Sequence, residues 1–112
     1  MLIDAENVRR SHWPNLSREE LVRRARAWSG ATGRPILIVF DGRAPEKAGD
    51  VVSAGGTADD WLAGHAPEHV PYWLVTSDRA LRRRVGEDAD RVIGGGSFVR
   101  ELLASDSGLA QS

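Results

Sequence analysis

Residues 36–41 read Ile36-Leu-Ile-Val-Phe-Asp41, an unbroken run of β-branched, aliphatic and aromatic residues that ends in an acid. Continuous apolar runs of this kind are typical of strands that are covered on both faces, as in a parallel sheet. Two further apolar segments also lead to an acid: Leu2-Ile3 precedes Asp4, and Tyr72-Trp-Leu-Val75 is followed by Thr76-Ser77-Asp78. The pattern predicts buried parallel strands whose ends carry aspartates.

Shorter segments complete the predicted sheet. Val51-Val52 and Arg91-Val-Ile93 are candidates for two more strands. Helix signals lie between the strands, so strands and helices alternate along the chain. Such alternation predicts an α/β fold with three layers, α/β/α, around a mostly parallel sheet of four to five strands.

The helix signals are caps and breakers. Ser17-Arg-Glu-Glu20 is a capping box, in which the Ser17 side chain accepts a hydrogen bond and Glu20 reaches back to the helix start. Pro35 prevents that helix from resuming after the glycines that end it. Thr57-Ala-Asp-Asp60 predicts a second helix start, and Ser97 is expected to cap a last helix that runs through Ala104.

Length and composition limit the class of protein. The 112 residues suffice for one small domain, which we expect to span residues 1–104, with residues 105–112 as a frayed tail. The chain has no cysteine, which excludes disulfides, thiolate zinc sites and cysteine nucleophiles. A net charge of −1 argues against a globally basic nucleic-acid coat. Without a signal peptide or an apolar run long enough for a membrane, a cytoplasmic location is expected.

Four acids are expected on one edge of the sheet, because the carboxyl ends of parallel strands share an edge. Each has a structural explanation on its own, as a helix cap, a first-turn acid or a turn residue. Together they would repel one another, and a divalent cation would relieve that repulsion. Oxygen ligands favour Mg²⁺ or Mn²⁺. The predicted metal ligands are Asp4, Asp41, Asp59 and Asp78.

Groups suited to a phosphodiester surround these acids in the sequence. An amide and two hydroxyls could bind phosphate oxygens, and arginines could bind a polyanion. For the arginine run, a solvated helix face is the alternative interpretation. The predicted substrate-binding residues are Asn7, Thr76, Ser77, Arg79, Arg82 and Arg83.

With these motifs in order, residues 1 to about 104 resemble the NYN domain of the YacP type, within the PIN-like (FLAP-nuclease-like) ribonuclease superfamily. The resemblance is carried by Asp4-Ala-Glu-Asn7-Val8, His12-Trp13-Pro14, Ile38-Val-Phe-Asp41, Val51-Val52, Thr57-Ala58-Asp59 and Thr76-Ser77-Asp78. It implies a PIN-like three-layer fold and a metal-dependent endoribonuclease. The implied catalytic residues are Asp4, Asn7, Asp41, Asp59 and Asp78.

The sequence departs from the family in two respects. Ala5-Glu6 stands where the family often has Gly-Tyr, which adds a carboxylate. The chain is also shorter than typical members. A catalytically inactive NYN domain that binds RNA or a protein partner is therefore the alternative function. RNA, single-stranded or on ribosome-associated mRNA, is the expected partner of the enzyme.

Two remaining interpretations follow from the same residues. A response-regulator receiver domain also clusters acids, but it has a lysine after its last strand, where Gly94-Gly-Gly96 stands here. The four tryptophans are expected to pack in the core. Trp13, which lies close to Asn7 in sequence, is the one considered for base stacking.

Overall fold

The computed structural model describes the backbone of residues 1–111 and the side chains of residues 1–104. Its five strands form one sheet in the order β3-β2-β1-β4-β5, and every neighbouring pair is parallel. The predicted sheet of four to five strands is therefore confirmed, with five strands and no antiparallel member. The strands are β1 (Leu2–Asp4), β2 (Leu37–Phe40), β3 (Val51–Ser53), β4 (Trp73–Val75) and β5 (Arg91–Ile93).

Helices lie in the connections between the strands except the loop from β2 to β3, and one helix follows β5. They are α1 (Ala5–Arg10), α2 (Arg18–Thr32), α3 (Ala58–His65), α4 (Arg79–Val85) and α5 (Gly95–Gln111), with a short 3-10 helix at Ala66–His69. No sequence signal predicted α1, which follows β1 directly and has no side-chain cap. Helix α5 begins two residues before the expected Ser97 cap and continues beyond Ala104. The expected frayed tail, residues 105–112, lies outside the described side chains, and the boundary at 104 stays a prediction.

In helix α2, the predicted capping box forms only in part. Ser17 Oγ accepts the predicted hydrogen bond from the Glu20 N–H at 3.0 Å. The Glu20 carboxylate does not reach back to the helix start; its Oε1 instead binds Arg23 at 2.6 Å and Arg24 at 2.7 Å. Gly33 ends the helix with φ +75°, a conformation that residues with a Cβ rarely adopt. The Ser17 half of the capping box is therefore confirmed. The Glu20 half is not formed, because two arginines bind the Glu20 carboxylate.

The sheet has a separate core on each face, because successive strand side chains point to opposite sides. In β1, Ile3 joins the core formed with α1, α2 and α5, whereas Leu2 joins the one formed with α3 and α4. Trp28 and Phe98 meet edge to face in the first core, with ring centroids 5.4 Å apart. Leu62 is fully buried in the second. The predicted three-layer α/β/α fold is confirmed.

The tryptophans do not all lie in the core. Trp28 is buried, and Trp61 and Trp73 are half-buried. Trp13 is 85% exposed, so the expectation of core packing is wrong for this residue. It lies in the turn after α1. Within the described residues, no helix combines the length and hydrophobicity needed to cross a membrane.

The order of the strands positions the site. The chain builds β1, β2 and β3 towards one edge and then returns to the other side of β1 to add β4 and β5. Strand order therefore reverses at β1, whose carboxyl end lies between those of β2 and β4. Ligands of open α/β sheets bind in the crevice beyond the strand ends at this kind of reversal.

Candidate active site

A cavity of about 300 Å³ lies at the carboxyl edge of the sheet, where strand order reverses. Its lining comes from the ends of β1 and β2, from α1, from the cap and first turn of α3 and from the cap of α4. Four of the lining residues are the aspartates named from the sequence. The complete lining is Asp4, Glu6, Asn7, Arg10, Asp41, Thr57, Asp59 and Asp78.

Asp4 is a buried acid of this cavity, with a relative exposure of 4% at the end of the central strand. The pKa of Asp4 is raised to about 6, chiefly by burial and also by the negative charges of Asp59, Asp41 and Asp78. The opposing influence is a hydrogen bond of 2.9 Å from Thr76 Oγ1 to Asp4 Oδ2. Asp4 therefore forms no ion pair with the residues whose side chains are described, and it lies in a crowded anionic site.

Asp41 and Asp59 are joined through the start of α3. Asp41 Oδ1 accepts a hydrogen bond of 2.7 Å from the N–H of Ala58, the first residue of that helix. Asp59 follows at once, and the pKa of its carboxyl is raised by burial and by the nearby charges of Asp78 and Asp41. Asp41, directly after β2, thus holds the start of α3, which carries Asp59.

Asp78 is the N-cap of α4 and also lines the cavity. Its Oδ1 accepts from the N–H groups of Ala80 at 2.8 Å and Leu81 at 3.2 Å. The structural explanation for this residue, a helix cap, is therefore correct and does not exclude a role in the cavity. Both cap bonds use the same oxygen of the carboxylate.

Asn7 connects three segments of the chain. Its Oδ1 accepts a hydrogen bond of 2.7 Å from the Ser77 N–H, and Ser77 Oγ accepts one of 2.8 Å from the Gly95 N–H. Position 95 has no room for a side chain, because a Cβ there would lie 2.5 Å from Ser11 Oγ. Since Asn7 Oδ1 is occupied, the free groups of this amide are its N–H donors, which suit a phosphate oxygen.

Thr76 and Arg82 contact protein groups rather than the cavity. Thr76 is fully buried; its hydroxyl donates to Asp4 and accepts from the Asp78 N–H at 3.1 Å. Arg82 donates two hydrogen bonds to the Thr76 carbonyl, at 3.1 and 3.0 Å. Both residues thus hold the loop between β4 and α4 in place.

The other arginines of the run lie on exposed surface. Arg84 pairs with Asp60 at 3.1 Å, which engages the acid next to Asp59 outside the cavity. Arg79 and Arg83 are exposed, and neither is among the residues that line the cavity. Of the predicted substrate-binding residues, Asn7 alone is in the lining.

Glu6, the carboxylate that departs from the family pattern, is buried and neutralised. It pairs with Arg9 at 2.8 Å, Arg18 at 2.9 Å and Arg10 at 3.3 Å. Arg10 is the cation that brings positive charge into the cavity lining, and the predicted site did not include it. The missed signal is its spacing of four residues from Glu6, which places both on one face only if α1 is known to be a helix.

The cavity fits a hard divalent cation, because its available ligands are carboxylate oxygens. Within residues 1–104, no three His, Asp or Glu side chains stand close enough together to form a ready-made cage for an ion. Mg²⁺ commonly binds through one or two carboxylates and keeps several water ligands. The cavity is compatible with that mode of binding, with Asp4, Asp41, Asp59 and Asp78 as the available carboxylates.

Comparison with known proteins gives a likeness of structure. No family model matches the chain, and no curated protein matches it in sequence. The chain is similar to the crystal structure of Rae1 (YacP) from Bacillus subtilis, with a TM-score of 0.75 and 17% identity over 98% of this chain and 76% of that chain. A mutant of the same protein gives a TM-score of 0.75 and 20% identity over 98% and 77%. The YacP-type fold expected from the sequence is therefore confirmed: this chain has the fold of Rae1 (YacP).

Proposed function

We propose that the chain is a metal-dependent endoribonuclease that hydrolyses RNA phosphodiesters. The site would be the cavity lined by Asp4, Asp41, Asp59 and Asp78, which we call the aspartate cavity. One observation carries this proposal: four aspartates from separate segments line one cavity at the point where strand order reverses. A fold similar to Rae1 (YacP) supports it. The raised pKa of Asp4 also supports it, because its causes are burial and like charges and include no cation partner.

The cavity residues would divide the chemistry between them. Asp4, Asp41, Asp59 and Asp78 would hold Mg²⁺ or Mn²⁺. The bound ion supplies an acidified water and neutralises charge on the phosphate oxygens. Asp4 or Asp78 would orient the attacking water for in-line displacement, by accepting a hydrogen bond from it. The N–H groups of Asn7 would hold a phosphate oxygen.

A second candidate function is an inactive domain of the same fold that binds RNA or a protein partner. The observation in its favour is the spacing of the acids, since no three acidic or histidine side chains among residues 1–104 converge on one point. In that case the aspartates would shape the cavity without catalysis.

Cleavage assays distinguish the two functions. We expect single-stranded RNA to be cut in Mn²⁺ or Mg²⁺ and to stay intact in EDTA. Asp4→Asn and Asp78→Asn should abolish cutting while sparing RNA affinity, because aspartates do not bind the RNA backbone. Asp60→Asn is the matched control, since this acid is exposed, pairs with Arg84 and lies outside the cavity lining. RNA binding with no cleavage in either metal would favour the inactive domain.

A further inference from the structure

A second cavity, of about 590 Å³, adjoins the aspartate cavity and has the opposite charge. It is lined by Gly42, Arg43, Lys47, Ser53 and Gly55, from the loops that follow β2 and β3. We call it the basic cavity. Its lining residues Gly42 and Gly55 lie next to Asp41 and two residues before Thr57, so the linings of the two cavities are neighbours along the chain at two places.

The positive charge of the basic cavity is not used within the described part of the chain. Besides Asp41, the loop after β2 contains two acids, Glu46 and Asp50, and Arg26 of α2 binds both of them. Its Nε and Nη2 lie 2.8 and 2.9 Å from the Asp50 carboxylate, and its Nη1 lies 3.1 Å from Glu46. Arg43 and Lys47 are exposed and form no ion pair with any described residue.

The backbone around the basic cavity is fixed by hydrogen bonds between the two loops. Gly42 N–H donates to the Gly56 carbonyl at 2.8 Å, and Gly55 N–H donates to the Gly42 carbonyl at 2.9 Å. Gly42 and Gly55 have φ values of +62° and +79°, so the tight contact between the loops depends on glycine. Ser53 Oγ accepts a further bond of 2.8 Å from the Ala44 N–H. The backbone that lines the basic cavity is therefore preorganised.

We propose that Arg43 and Lys47 bind backbone phosphate of the RNA strand whose scissile phosphodiester occupies the aspartate cavity. This inference rests on the proposed function. A polyanion is repelled by the four aspartates, so its neighbouring phosphates need cations close by. Arginine binds phosphate through paired N–H groups, and lysine adds a point charge. The cavity is much larger than one phosphate group requires, which favours a strand over a small anion.

RNA binding in EDTA tests this inference without any catalytic step. We expect Arg43→Gln/Lys47→Gln to weaken binding of single-stranded RNA and to reduce the slope of log affinity against log salt by about 1.4, since each phosphate contact contributes about 0.7. Arg34→Gln/Arg91→Gln removes the same charge from the opposite edge of the sheet, where both guanidinium groups stack on Trp73. That control should keep the wild-type salt slope. The exchanged variant Arg43→Lys/Lys47→Arg retains both positive charges and should also keep that slope.

Each outcome separates this inference from the proposed function. A reduced slope in the Arg43/Lys47 variant supports the phosphate contact even if no RNA is ever cleaved. Equal slopes for this variant and the wild type would overturn it, even where cleavage is observed. An equal reduction of the slope in the Arg34/Arg91 control would also overturn it, because the effect would then reflect the net charge of the protein rather than a local contact. Loss of inorganic phosphate binding with unchanged RNA affinity would assign the cavity to a small anion and overturn the strand contact.

Discussion

Asp4 is an acid whose surroundings oppose its ionisation. Its pKa is raised from 3.8 to about 6, so the folded protein binds this proton more tightly than the unfolded chain does. The sign of the effect on stability follows directly. The folded state is favoured below pH 4, and it loses that advantage as the pH rises through the window from about 4 to about 6.

Asp4→Asn should therefore stabilise the metal-free protein at pH 7. The gain is at most about 3 kcal/mol, because one pKa unit corresponds to about 1.4 kcal/mol. Urea denaturation in EDTA at several pH values measures it. The difference between variant and wild type should be small at pH 4, grow until about pH 6 and stay constant above. A difference that does not change with pH would contradict this explanation.

Trp13 gives a second prediction at this scale, which rests on RNA being the ligand. An exposed indole in the turn after α1 offers a face for a base, and such stacking contributes about 1–3 kcal/mol. Trp13→Ala should lower RNA affinity about tenfold and abolish part of the fluorescence quenching caused by RNA. Trp13→Phe should keep most of the affinity. Unchanged quenching in the alanine variant would show that the RNA does not reach this residue.

Residue identities predicted the members of the aspartate cavity better than they predicted its neighbours. Asp4, Asp41 and Asp78 follow apolar runs that end on one sheet edge, and Asp59 begins the helix after β3. This reasoning needs no knowledge of side-chain contacts. Thr76 and Arg82 were assigned to substrate from their chemical types alone. Their engagement with Asp4 and with the Thr76 carbonyl depends on the packing of one loop. The sequence does not reveal such packing.

Helix α4 carries the second link between stability and the site. Asp78 caps this helix through its carboxylate and also faces three other aspartates across the cavity. The two roles respond differently to substitution. An asparagine retains the accepting oxygen and loses the charge, whereas an alanine loses both.

We expect Asp78→Ala to unfold at lower urea concentration than Asp78→Asn. The cap accounts for a difference of about 1 kcal/mol. In EDTA at pH 7, Asp78→Asn should be at least as stable as the wild type, because one like charge has gone. Equal destabilisation by both substitutions would mean that the carboxylate contributes through something other than the cap.

At the scale of elements, helix α1 marks the limit of prediction from sequence. It has six residues, follows β1 without a turn and lacks a side-chain cap. Its stability comes from tertiary packing, since Ala5 and Val8 are fully buried. The longer α2 has a cap, an αL glycine and an apolar stripe, and all three were legible in the sequence. Local signals thus predicted α2, which has its own N-cap and C-terminal glycine, and did not predict α1.

For the whole molecule, the cavity should couple metal binding to folding. An ion that binds the folded state stabilises it by mass action, by about 2.7 kcal/mol at a concentration one hundred times the Kd. Mn²⁺ should therefore raise the Tm of the wild type, and Asp59→Asn should reduce that rise. Asp60→Asn should respond as the wild type does, because its side chain pairs with Arg84 outside the cavity. A melting curve that Mn²⁺ leaves unmoved would contradict the metal-binding role.

The outer strands of the sheet bear on how the protein behaves at high concentration. β3 and β5, which form the two edges, have three residues each. Ala48 makes an antiparallel bridge to Val51 at one edge, and the exposed Arg91 begins the other. Edges that are short, partly covered or charged give another chain few groups with which to pair. The fold thus protects a strongly apolar parallel sheet against aggregation through its edges.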